Sequence, residues 1–132
     1  MIDDAALIES FEAGREPAGG FHHAEHVRAA WWYLRQHPWP EALIRFSKAL
    51  RAFAAAQGKP ELFHETITGA FILVINERLD AGGRQGSWTE FAAANPDLLT
   101  WRPSVLDRYY RPDTLASERA RRSFVLPDRL AE

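Results

Sequence analysis

The stretch FHETITGAFILVINERL (Phe63–Leu79) decides the fold. Its interior, TITGAFILVI, is rich in β-branched residues, and periodicity alone suits a buried strand as well as a helix. The apolar pattern continues through NERL, well beyond strand length, and AGGRQG then supplies a stop. A helix is therefore predicted, starting between Glu61 and Glu65 and ending at Leu79 or Asp80. With this segment helical, the chain reads as a string of helices.

Working outward, Asp3 or Asp4 caps a first helix running to about Ala13, and GREPAGG is a loop. A second helix starts at His22 or His23 and runs to about Gln36. His37-Pro38-Trp39-Pro40 ends it, because each proline biases its predecessor away from the helical region. Pro40 then opens a third helix, with Leu43, Phe46, Leu50, Phe53 and Ala54 on one side and Gly58 as its stop. Downstream of the Phe63–Leu79 helix, Ser87-Trp88-Thr89-Glu90 is a capping box for a fifth helix. A short sixth is expected within Ser104–Tyr110, and a last one over Thr114–Phe124. The predicted fold is an all-α, up-down bundle of about four longer helices with shorter C-terminal helices packed on it, a single helical domain over residues 1–132.

Bulk properties exclude several classes. Among 132 residues, 46% are hydrophobic and 26% charged, which suits an ordinary globular chain. There is no cysteine, which removes disulfides, thiolate metal sites and cysteine nucleophiles, and fits a cytoplasmic setting. The acidic start MIDDAALIESFE is too interrupted for a signal peptide, and the longest apolar run, Ala70–Ile75, is far short of a membrane span. A net charge of −2 without a basic cluster argues against nucleic acid. The basic residues are fourteen Arg and two Lys. That bias reads either as genome composition or as an Arg-lined pocket for an anionic ligand.

Four of the five histidines sit in two stretches, FHHAEHV (Phe21–Val27) and FHE (Phe63–Glu65). His23 and His26 share a helix face with Ala30, Tyr33 and Leu34; His22 and His26, four apart, pair equally well. His64 is in line with Thr68, Phe71 and Ile75, while Glu65 lies about 100° round. Both stretches thus fall at N-terminal ends of helices on core-facing sides. In an up-down-up arrangement the second and fourth helices are parallel, so those ends meet. Three imidazoles and a carboxylate with an open position match the design of a catalytic divalent-metal centre, whose bound water ionises near pH 7. The other readings are a metal-free ligand pocket and histidines that each hold a loop carbonyl. His64-Glu65 also opens like H-E-x-x-H, but Thr68 stands where the second histidine would be.

Trp31, Trp32, Tyr33 and Trp39 read as core, or as the wall of a pocket. Arg108, Tyr109, Tyr110 and Arg111, with Arg121-Arg122, are candidates to fold over the open end and hold an anion. No phosphate-binding loop, dinucleotide fingerprint or serine-hydrolase elbow is present.

FHHAEHVRAAWWYL, FHETITGAF, NERL, NPDLL and the LDRYYRPDTL–ARRSFVLPDRL tail together resemble a small uncharacterised bacterial family of all-helical proteins with the pattern F-x-H-x-x-H-[VL]…A-W-x-Y-L and then [YF]-H-x-T-[IL]-T. The resemblance runs from Phe21 to Leu130. It implies a helical domain with a site at His23, His26, His64, Thr66 and Thr68, and no assigned reaction. FHHAEHV and FHE also bear a weaker similarity to HD-domain metal-dependent phosphohydrolases, which implies His26, His64 and Glu65 as ligands. Glu65 departs from the aspartate of the defining dyad, and Asp97 or Asp107 would be the last ligand.

The sequence reading is thus a helical protein binding a divalent transition metal (Zn, Fe, Mn or Ni) through His23, His26 and His64. As an enzyme it would hydrolyse a small anionic substrate, with Glu65 and Thr68 as catalytic residues and Arg108, Tyr109 and Arg121 binding substrate. The alternative is a non-catalytic, ligand- or partner-binding module with structural histidines. A small-molecule ligand is expected, and neither nucleic acid nor membrane.

Overall fold

The computed structural model describes residues 2–129; Leu130, where the motif resemblance ends, lies outside them. The described chain is all-helical, without a strand. The longer helices are α1 (Asp4–Glu12), α2 (His23–Gln36), α3 (Trp39–Ala56) and α4 (Glu65–Gly82). They are followed by α5 (Trp88–Ala94), α6 (Pro112–Ala116) and α7 (Glu118–Arg122), with 3₁₀ turns at Pro60–Leu62, Pro96–Leu99 and Val105–Arg108.

The decisive segment is helical because it is enclosed from several sides. Thr66, Thr68, Gly69, Ala70, Phe71, Ile72, Val74, Ile75 and Leu79 of α4 are all buried. They pack against α2, α3, α7 and the Val105–Arg108 turn. A helix apolar nearly all round belongs at the centre of a bundle, and that is why its sequence carries so little amphipathic signal.

Helices α2 and α4 run parallel, with α3 antiparallel to both. At one end, His26 near the start of α2 shares a cavity with Ile67 and Thr68 near the start of α4 and with Leu50 late in α3. At the other end, Arg35 of α2 donates to the Arg84 carbonyl just past α4 (3.0 Å), and Arg84 donates back to the Leu34 carbonyl (3.3 Å). Helix α1 lies against α2 and α3. Phe11 stacks on Phe21 (centroids 5.0 Å apart) and tilts against Phe53 (5.4 Å), and Arg28 holds Asp4 at 2.6 Å. Trp31 is fully buried and meets Trp88 of α5 edge-on at 5.5 Å, and Tyr33 is buried too, while Trp39 is 46% exposed.

Caps set the boundaries. Asp3 accepts from the Ala6 amide (2.8 Å) at α1. Ser87 and Glu90 form the expected capping box of α5, at 3.1 and 2.8 Å. The segment expected as one last helix is two. Ser117 adopts extended backbone, and its hydroxyl accepts from the Ala120 amide (3.1 Å), ending α6 and starting α7. The short sixth helix is a 3₁₀ turn, Val105–Arg108, capped by Ser104.

After α7 the chain runs extended from Ser123 and is tied down at several points. Thr66, fully buried on α4, donates to the Ser123 carbonyl (2.7 Å) and accepts from the Val125 amide (3.0 Å). Tyr110 donates to the Val125 carbonyl (2.7 Å), and the Asp128 and Arg129 amides both reach the Tyr109 carbonyl at 3.0 Å. Phe124 lies on Gly69, where an added Cβ would come within 3.0 Å of its ring. This strap holds α6 and α7 across the start of α4.

Among the described residues, no helix is long and apolar enough to cross a membrane.

A candidate ligand cleft at the end of the bundle

The parallel course of α2 and α4 does bring their N-terminal ends together. Between them, the end of α3 and α7 lies a cleft of about 500 Å³. Of the sequence-predicted residues, His26, His64, Thr68 and Arg121 line it; His23, Glu65, Arg108 and Tyr109 do not. His23, which shares a smaller cavity of about 60 Å³ with His26 and Thr68, is held on its other side. Its Nε2–H donates to the Leu98 carbonyl at 2.9 Å, and its ring lies between Phe71 (5.1 Å) and Trp101 (5.2 Å).

His64 is the N-cap of α4. Its Nδ1 accepts from the Ile67 amide at 3.0 Å, so the ring proton sits on Nε2, which donates to the Leu115 carbonyl at 2.8 Å. Both ring nitrogens are therefore used by backbone. An N-cap histidine satisfies one of the four orphan amides of a helix start, the role more often taken by Ser or Asp.

His26 differs. It sits against Phe21, with ring centroids 4.5 Å apart, and among the described residues its nitrogens pair with no protein atom. Burial, with smaller contributions from His23 and His22, pushes its pKa down to about 4. At neutral pH it is an uncharged imidazole facing the cleft, with one N–H to donate and one lone pair to accept. His22 is exposed at the mouth, its amide donating to Glu25 (2.6 Å).

The expected metal trio is therefore not assembled. Among the described residues no group of three or more His, Asp or Glu side chains is placed to hold a metal ion. His64 has neither ring nitrogen free, because the Ile67 amide and the Leu115 carbonyl take both, while the Leu98 carbonyl holds the His23 ring by Nε2. Glu65 is removed in a different way. It pairs with Arg51, whose guanidinium also covers the Phe63 ring at 4.2 Å, outside the cleft lining. The proposed pairing of Glu65 with Thr68 is split accordingly. Of the ligand set implied by the phosphohydrolase similarity, His26 and His64 share the cleft, whereas Glu65, Asp97 and Asp107 lie outside its lining, Asp97 held by Arg78 at 2.7 and 2.9 Å and Asp107 capping the Ser104 turn.

The anion-holding group also divides. Arg108 lies 3.4 Å from Asp97, and Tyr109 lines a separate apolar hollow with Leu73, Leu106 and Phe124. Arg121 does reach the cleft, fixed by its donation to the Glu61 carbonyl. Lys59 stands beside the same cleft, and Glu16 is its acidic member. His37 is the C-cap of α2 and lies 2.9 Å from Glu41, away from the cleft.

Sequence reasoning missed most of the cleft's apolar wall: Phe21, Leu50, Phe53, Phe63, and Leu62 and Trp101 exposed at the mouth. One signal was available. A phenylalanine precedes each histidine stretch, and both Phe21 and Phe63 turn into the cleft.

Comparison of the chain with protein-family models, with curated proteins and with solved structures found no match, so the two resemblances above rest on their motifs alone.

Proposed function

We propose that this protein is a non-catalytic, small-molecule-binding helical module whose ligand occupies the cleft at the N-terminal ends of α2 and α4. The observation that carries the reading is His26: an uncharged, unpaired imidazole in a largely apolar cleft of about 500 Å³. Small-molecule sites have this character, a few hundred Å³ of apolar wall with a few convergent polar groups. A cytoplasmic setting belongs to the same proposal and rests on the absence of cysteine.

The metal-dependent hydrolase reading would require His64 to give up either the Ile67 amide or the Leu115 carbonyl, leaving one part-buried backbone group without its partner at a cost of roughly 1–3 kcal/mol. The module reading needs no such rearrangement.

A thermal-shift screen of small organic molecules, run with and without EDTA, tests the proposal. Ala54 lies on the cleft wall at the edge of α3, where a larger side chain fills the space without entering the core. The expected result is a stabilising compound whose effect is unchanged by EDTA and lost in Ala54→Trp, with the unliganded melting temperature kept. Stabilisation only by divalent metal, abolished by EDTA, contradicts it.

A further inference from the structure

We infer that the cleft selects organic acids with an apolar body, the carboxylate held at the Arg121 side and the body lying among Phe21, Phe53 and Phe63. The inference rests on the ligand-binding reading above and adds the chemical class.

The charge balance of the lining comes first. Arg121 and Lys59 face Glu16, giving an excess of positive charge at one cleft of a chain whose net charge is −2. Arg121 is presented rather than consumed. One of its terminal nitrogens donates to the Glu61 carbonyl, and its nearest acid, Glu118, stands at 3.9 Å on the exposed side of the same helix. A guanidinium steadied on one edge keeps its remaining donors for a carboxylate, which its planar fork matches bidentately.

The walls set the rest of the ligand. Phe21 and Phe53 stand with centroids 4.7 Å apart, and Phe63 is backed by Arg51. Such a surface rejects a small, fully hydrated anion, because desolvating it against aromatic rings is unfavourable. Leu62 and Trp101, 64% and 46% exposed, extend the apolar surface to the mouth. His26 adds a neutral donor at the inner end, where the cleft meets the smaller cavity through His26, Leu50, Ile67 and Thr68. An uncharged imidazole there lets the far end of the apolar body lie against it without adding a second fixed charge.

The test is calorimetric titration of the full chain with octanoate and phenylpropionate, each beside its uncharged amide and its amine, and with acetate as the acid lacking a body. The acids are expected to bind about tenfold tighter than their amides, a difference of about 1.4 kcal/mol. Amines and acetate are expected to bind most weakly. Arg121→Gln is expected to bring each acid down to its amide and leave the amides unchanged, with Lys59→Gln as a second, exposed variant should the first fail to fold. Amides or amines binding as tightly as acids overturns the acid class and leaves the cleft a binding site. Acetate binding as well as octanoate overturns the apolar-body requirement. No binding by any compound at millimolar concentration overturns both this inference and the reading beneath it.

Discussion

His64 donates its Nε2–H to the Leu115 carbonyl at 2.8 Å, a bond between residues 51 apart in the chain. The same ring caps α4 through Nδ1. One imidazole thus starts the central helix and pins α6 beside it. His64→Ala removes a cap and leaves a part-buried carbonyl unpaired, and we expect a loss of about 2 kcal/mol in urea unfolding. His64→Asn, which keeps a capping acceptor but is too short to reach Leu115, is expected to recover about half. Wild-type stability in His64→Ala would contradict the structural role.

Thr66 makes the equivalent tie to the C-terminal strap, donating to Ser123 and accepting from Val125 while fully buried. Thr66→Val keeps the shape and deletes both bonds. Its expected cost is about 1–3 kcal/mol, with the Val125 amide exchanging faster by hydrogen exchange. Unchanged exchange at Val125 would mean the strap is held elsewhere.

Acid weakens the fold through two half-buried histidines, His23 and His26. Burial lowers the pKa of His26 to about 4 and lowers that of His23, so the unfolded chain takes up protons that the folded chain refuses. Their contribution is fully present above the unfolded value of 6.5 and is lost as pH falls toward 4. For His26 the loss by pH 4 is roughly 2–3 kcal/mol. Removing the imidazole flattens this slope, so His26→Phe is expected to be less sensitive than wild type between pH 6.5 and 4 when urea midpoints are compared. Parallel pH profiles for the two proteins would count against a neutral, half-buried His26.

The Arg78–Asp97 pair clamps α4 to the Pro96–Leu99 turn that presents Leu98 to His23. Arg78 holds the Asp97 carboxyl below its ordinary range. Arg78→Met keeps the aliphatic stem and loses the clamp. The pair is part-exposed, so we expect about 1 kcal/mol or less in stability, shrinking with salt. The clearer readout is the His23 ring resonance, which should broaden as the Leu98 carbonyl loosens. A sharp, unshifted signal would separate the clamp from His23.

The main geometry of the cleft was legible because it follows from topology. Short links make α2, α3 and α4 alternate in direction, so His26 and His64 had to share an end. The apolar wall was not read, although a phenylalanine precedes each histidine stretch. What the sequence left hidden were long-range partners. Nothing local to His23 names Leu98, 75 residues away, and nothing in Phe63–Leu79 names Leu115 or Ser123. Glu65 reads as a base beside a histidine until Arg51, on the preceding helix, claims it. The break at Ser117 was hidden for a related reason: serine within a helical pattern is neutral until its hydroxyl finds an amide to cap.

The most direct test of the account is the imidazole nitrogen spectrum of the labelled protein at pH 7.5, recorded through titrations with octanoate and then zinc. We expect His23 and His64 as neutral Nε2–H tautomers that hold their positions in both titrations, and His26 shifting with octanoate alone. Coordinated movement of His26 and His64 on one equivalent of zinc, or no response of His26 to octanoate, would contradict it.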